Sequence, residues 1–129
     1  MPLPTDANVE FLVCDAVRQR DGGMLDIAGC YPTREVKVDP AARLPATVNL
    51  TFVFILKDGD GIFRPVLRII DPLAKELHRF EMPELTKKAG TGHIMMLPVG
   101  QIPIAHSGNY LVSIEIDGQR YERTVRIFQ

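Results

Sequence analysis

The chain has 129 residues, with 15 basic and 16 acidic side chains, a net charge of −1 and a pI near 6.3. A chain of this length can bury about two-thirds of its unfolded surface, so residues 1–129 are expected to form one domain that needs neither disulfide nor metal to fold. The basic residues, from Arg18 to Arg126, are scattered rather than striped among aromatics, which excludes nucleic acid as an expected partner; no apolar run approaches the ~20 residues of a membrane helix.

The opening MPLPTDANVEFLVCDAV has no basic residue before Arg18 and no small-residue cleavage site behind an apolar core. It is not read as a secretory leader, and the expected location is cytoplasmic. Glu10 to Val17 is the first predicted strand. The turn Arg20-Asp21-Gly22-Gly23 returns the chain antiparallel through Met24 to Tyr31. A three-residue loop at Asp21-Gly22-Gly23 sets Arg20 against Met24 and Cys14 against Cys30. A disulfide is then geometrically open. With no export signal, buried free cysteine is the expected state. Neither cysteine has the closely spaced Cys or His partners that zinc requires.

After the connection VDPAARLP comes VNLTFVFIL, Val48 to Leu56. Both its faces are largely apolar, as expected of a central strand covered on both sides or nearly so. The turn Lys57 to Gly61 leads to a strand from Ile62. Pro65 lacks an amide donor, so that strand is predicted to be an edge or to bulge there. Asp71-Pro72 turns the chain into Lys75 to Met82. Pro83 to Gly92 reads as a loop in which Glu84 to Lys88 form one helical turn. Ile94 to Val99 is apolar, and Pro103 to Gly108 is a loop.

The ending NYLVSIEIDGQRYERTVRIF is the clearest element. Asp117-Gly118 suits a type I′ turn, in which both central residues need φ > 0. That turn sets Ile116 against Gln119, Ile114 against Tyr121, Val112 against Arg123 and Tyr110 against Val125. The other column sets Glu115 against Arg120, Ser113 against Glu122 and Leu111 against Thr124. One oily and one wet column mark an antiparallel pair packed on one side. Arg123 falls in the oily column. Inward charges at sheet edges discourage further strand addition, and a ligand-contacting arginine is the alternative.

About eight short strands with regular turn signals and no helical period predict an all-β, antiparallel β-sandwich. An immunoglobulin-like Greek key is favoured over a jelly roll, because a small loop followed by a long hairpin is a common ending for such sandwiches. Through FLVCDAVRQRDGGMLDIAGCY, VNLTFVFILKDGDG, VLRIIDPLAKEL and HSGNYLVSIEIDG, the chain resembles a bacterial family of small β-sandwich proteins of unknown function. The resemblance covers most of the chain and implies the fold, but no activity.

Candidate chemistry is thin. Asp58-Gly59-Asp60-Gly61 has the look of half a calcium loop, but position twelve of that pattern is Ile69, not glutamate. His106 and Ser107 are neighbours in an extended segment and point apart, and there is no G-x-S-x-G elbow. Lys87, Lys88, Gly90 and Gly92 could cradle an anion, yet the Walker pattern is absent. Met95 and Met96 alternate, so one fills the core and the other faces solvent or a partner. His93, Met95, His106 and Arg123 are retained as interaction candidates, with no catalytic residue, metal ligand or cofactor. The expected function is a non-enzymatic protein-interaction module that binds another protein or itself. The alternative is a small molecule or carbohydrate at one end of the sandwich. That site would lack an aromatic platform, since there is no Trp and the three tyrosines Tyr31, Tyr110 and Tyr121 are mostly assigned inward.

Overall fold

A computed structural model of the chain describes residues 3–129; Met1 and Pro2, which open the segment read as leaderless, lie outside the described residues. Eleven strands and two single-turn 3-10 segments, with no α-helix, make up the described residues. The strands are β1 (Val9–Gln19), β2 (Leu25–Cys30), β3 (Glu35–Lys37), β4 (Ala46–Leu56), β5 (Gly61–Phe63), β6 (Val66–Ile70), β7 (Glu76–Glu81), β8 (Leu85–Lys87), β9 (His93–Ile104), β10 (Gly108–Ile116) and β11 (Gln119–Phe128). They form a four-stranded sheet in the order β2-β1-β4-β9, a five-stranded sheet in the order β3-β11-β10-β6-β7, and a small β5-β8 pair. All pairings are antiparallel except β3 with β11, which is parallel.

Alternation explains how the two large sheets share a core. Val9, Phe11 and Val13 of β1, Phe52, Phe54 and Leu56 of β4, and Met95, Leu97 and Val99 of β9 form one buried cluster with Tyr110, Val112, Ile114, Tyr121 and Val125 of the other sheet. Between Val48 and Leu50 the β4–β9 register shifts by one, from Leu50 opposite Val99 to Val48 opposite Ile102. The extra residue lies at Gly100-Gln101, where Gln101 has φ 54 and its amide donates to Asn49 Oδ1 at 2.7 Å. This β-bulge changes the inward parity of β9 from odd to even. Ile102 and Ile104 therefore return to the core.

The closing hairpin has the register its sequence dictates, from Ile116 opposite Gln119 to Tyr110 opposite Val125. Asp117 and Gly118 have φ of 49 and 83. Cys14 lies opposite Cys30, as the Gly-Gly turn requires. Both thiols are free, but only Cys14 is buried as expected, since Cys30 on the edge strand β2 is exposed.

Three expectations are corrected. Glu84 to Lys88 is not a helical turn, because Leu85–Lys87 is β8 and pairs with Gly61–Phe63. The strand from Ile62 is not one strand bulged at Pro65, and only its first half, β5, paired with β8 alone, is an edge. It breaks at Pro65, and its two halves, β5 and β6, enter different sheets; β6 lies between β10 and β7. The loop predicted from Pro103 begins later, because the bulge lets β9 run on to Ile104. Arg123 lies on a stretch of β11 that pairs with β10 alone, since β3 meets β11 only at Arg126–Phe128. The short β3 was not anticipated.

Candidate interaction surface

The residues of the four-stranded sheet that point away from the core form three rows across β1, β4 and β9: Glu10–Ile55–Ile94, Leu12–Val53–Met96 and Cys14–Thr51–Pro98. Seven of these nine side chains are apolar or thiol. Val53 and Cys14 are fully buried yet lie outside the core cluster. Beside them Leu12, Ile55, Ile94 and Met96 are half-buried. At one end, Glu10 is ion-paired with Lys57. This explains the doubly apolar sequence of β4: one face feeds the core, and the other seats Val53 in the middle of an apolar sheet surface.

Beyond Met96 the surface turns a corner into a groove between the free edges of β9 and β7. One section, about 290 Å³, is lined by Leu67, Phe80, Met82, Met96 and Leu97 among others. The next section, about 420 Å³, runs past Leu85, His93 and Met95. Phe80 is 43 % exposed. It stacks on His78 at 5.5 Å between ring centroids, and His78 Nε2 is buried without a hydrogen-bond partner. Pro98 lacks an amide donor and lies on the free edge of β9, so it interrupts the row of donors there.

The candidates from the sequence do not converge. His93 opens β9, and burial, then the nearby Lys87 ammonium, hold its imidazole below the ordinary value. His106 is exposed beyond the other end of that 12-residue strand, so at about 3.3 Å per residue the two are on the order of 40 Å apart. Met95 is in the core at 6 % exposure, and Met96 is the methionine that faces outward. Alternation announced that one of the pair would do so, but not which. Leu12, Val53, Ile55 and Ile94 went unremarked as surface residues, although the second apolar face of VNLTFVFIL was their signal.

Arg123 is a clasp rather than an open cation. Its guanidinium donates to Asp6 Oδ1 at 3.0 Å and to the carbonyls of Asp6, Val9 and Glu122 at 2.8–2.9 Å. It thereby ties β11 to the segment that enters β1. The same segment is held by Tyr121, whose hydroxyl donates to Pro4 O at 2.5 Å, and by Asp58. The Asp58 carboxylate accepts from the Thr5 amide at 2.8 Å and from Asn8 Nδ2 at 3.1 Å. These bonds, Thr5 first, hold its carboxyl below the ordinary value. Asp58, the first carboxylate of the Asp58–Gly61 turn, is thus committed to the strap. Lys87, read as a possible anion ligand, is 1 % exposed and turns its ammonium onto the carbonyls of Lys88 at 2.8 Å and Gly59 at 3.3 Å.

Residues 10–125 match the family of unknown function DUF6941, a span from the second residue of β1 to Val125 of β11. The chain belongs to that family. The match takes in the whole apolar face and all but the last residues of the hairpin. No curated protein matches this DUF6941 chain. No helix of its described residues is long and apolar enough to cross a membrane.

Proposed function

We propose that this DUF6941 chain is a non-enzymatic protein-interaction module, working in the cytoplasm, that docks a protein on the outer face of its four-stranded sheet. The observation that carries this reading is the seating of Val53, fully buried outside the core at the centre of the Leu12, Ile55, Ile94 and Met96 surface. A contiguous apolar face is uncommon on a protein that works alone and typical of a contact face. We read the architecture as an immunoglobulin-like Greek-key sandwich. That reading is supported by the parallel pairing of β3 with the last strand and by the placing of β4 and β9 in one sheet while β6, β10 and β11 lie in the other.

The test compares the tagged full chain with an Ile94→Glu/Met96→Glu variant in capture from host lysate and in light scattering. A partner, or a second copy, held by the parent and lost by an equally stable variant is the expected result. Identical capture and identical mass for the two proteins would overturn the reading.

A second reading has its own support: the groove section beside His93 and Met95, about 420 Å³ in volume, has the size of a small-ligand site. A small apolar molecule would bind there. A ligand at 100 times its Kd adds about 2.7 kcal/mol of stability, so a thermal-shift screen with no stabilised condition removes this reading.

A further inference from the structure

We infer that Cys14 and Cys30 form a dithiol that closes reversibly to an intrachain disulfide when it meets a disulfide oxidant of the glutathione class. The two residues are direct partners across β1 and β2. One residue outside the pair on each strand, the Tyr31 amide donates to the Val13 carbonyl at 2.9 Å. This puts the cysteines in a non-hydrogen-bonded position of the antiparallel ladder, where Cα atoms lie about 4.5 Å apart and side chains are at their closest. A disulfide accepts Cα separations of about 4.4–6.8 Å. Beside the pair the ladder is interrupted at Gly29, a site that admits only glycine, with φ +66 and a Cβ position 2.3 Å from an oxygen of Asp15. Both thiols are free, and Cys14 Sγ points across the sheet to Thr51 O at 3.6 Å. A rotation about the Cα–Cβ bond of Cys14 brings its sulfur towards Cys30.

The two thiols divide the work by their surroundings. Cys30 is exposed and meets the oxidant first. Its thiolate, having given its proton to water, attacks glutathione disulfide and breaks that S–S bond, forming a mixed disulfide on Cys30 and releasing one glutathione thiolate. Cys14 is fully buried. Burial, then the neighbouring Cys30 and Asp15, push its thiol up, which favours the protonated form and makes it the slower of the two to react. It then loses its proton, attacks the Cys30 sulfur and expels the second glutathione. Two cysteine thiols lose two electrons, and one glutathione disulfide gains them and two protons to become two glutathiones. Disulfides of proteins in a reducing compartment are usually of this transient, sensing kind. The bond would pin β2, an edge strand that pairs with β1 alone, whatever the sheet face binds.

The test equilibrates the full chain in graded ratios of glutathione and glutathione disulfide, quenches with N-ethylmaleimide under denaturing conditions and reads intact mass and peptides. The expected course runs from two maleimide adducts to none, with a Cys14–Cys30 linked peptide and no covalent dimer. Cys14→Ser should stop at a glutathione adduct on Cys30. Cys30→Ser should leave Cys14 unreactive until the protein is denatured. Three results for the parent chain each overturn the inference: arrest at the Cys30 adduct, a Cys30-linked dimer with Cys14 still alkylated, or two free thiols at the most oxidising ratio. The parent chain decides alone if the Cys14→Ser variant does not fold.

Discussion

The outer face of the five-stranded sheet carries the ion pairs Arg120–Glu115, Arg126–Glu35 and Arg68–Glu76, whereas that of the four-stranded sheet carries Leu12, Val53, Ile55, Ile94 and Met96. Both sheets contribute equally ordinary inner faces to one core. The difference lies entirely in the residues that alternation sends outward. On the five-stranded side, charge pairs flank the half-buried Leu111, Ile70 and Val66, so the outward face is mixed. On the four-stranded side, these apolar residues are, Val53 apart, half-buried. A sheet needs one oily face to fold, and the second oily face here is beyond what folding requires.

The largest expected effect separates the two faces directly. Val53→Asp places a carboxylate at a position with no exposure and no cation, and should cost about 3 kcal/mol in urea denaturation. Thr124→Asp, on the mixed face, should stay within about 0.5 kcal/mol. Equal costs would break the comparison. Next comes the clasp between the sheets. Arg123→Met removes donors to Asp6 and to the Val9 carbonyl of β1, and should cost about 2 kcal/mol by the same measurement.

Asp58, whose folded carboxyl is held low by Thr5 and Asn8, gives a pH signature. Its contribution is complete above the unfolded carboxylate value of about 3.9 and is lost as the pH falls through the lower folded value. Stability measured from pH 5 downward should fall less steeply in Asp58→Asn. Parallel curves would mean that the strap's bonds do not discriminate between the protonation states. The smallest effect belongs to the ion pairs themselves. Arg126→Ala should change stability by about 0.5 kcal/mol or less, and the change should shrink in high salt. A larger, salt-resistant loss would show that the mixed face is held by more than solvated pairs.

The closing hairpin was legible residue by residue, because a two-residue Asp-Gly turn fixes register and alternation fixes the faces. Cys14 opposite Cys30 followed from the same arithmetic at the other hairpin. The second apolar face of β4 was also visible. What stayed hidden has common causes. β3, β5 and β8 are three residues each, too short to show alternation, and β3 pairs with residues about ninety positions away. The strap around Arg123 is a set of side-chain bonds to backbone carbonyls, which no spacing rule encodes. The choice between Met95 and Met96 needed the position of the bulge, since its single extra residue decides which parity faces inward.

That bulge makes β9 a strand in which number matters more than kind. Gly100 and Gln101 contribute little apolar contact, and a change of either side chain disturbs a turn of backbone and one bond to Asn49. Removal of one residue there would put the two halves of β9 in a single phase. Either Met95, Leu97 and Val99 or Ile102 and Ile104 would then be sent out to solvent. In a family of such chains, gaps at this point of the strand should therefore be rarer than substitutions.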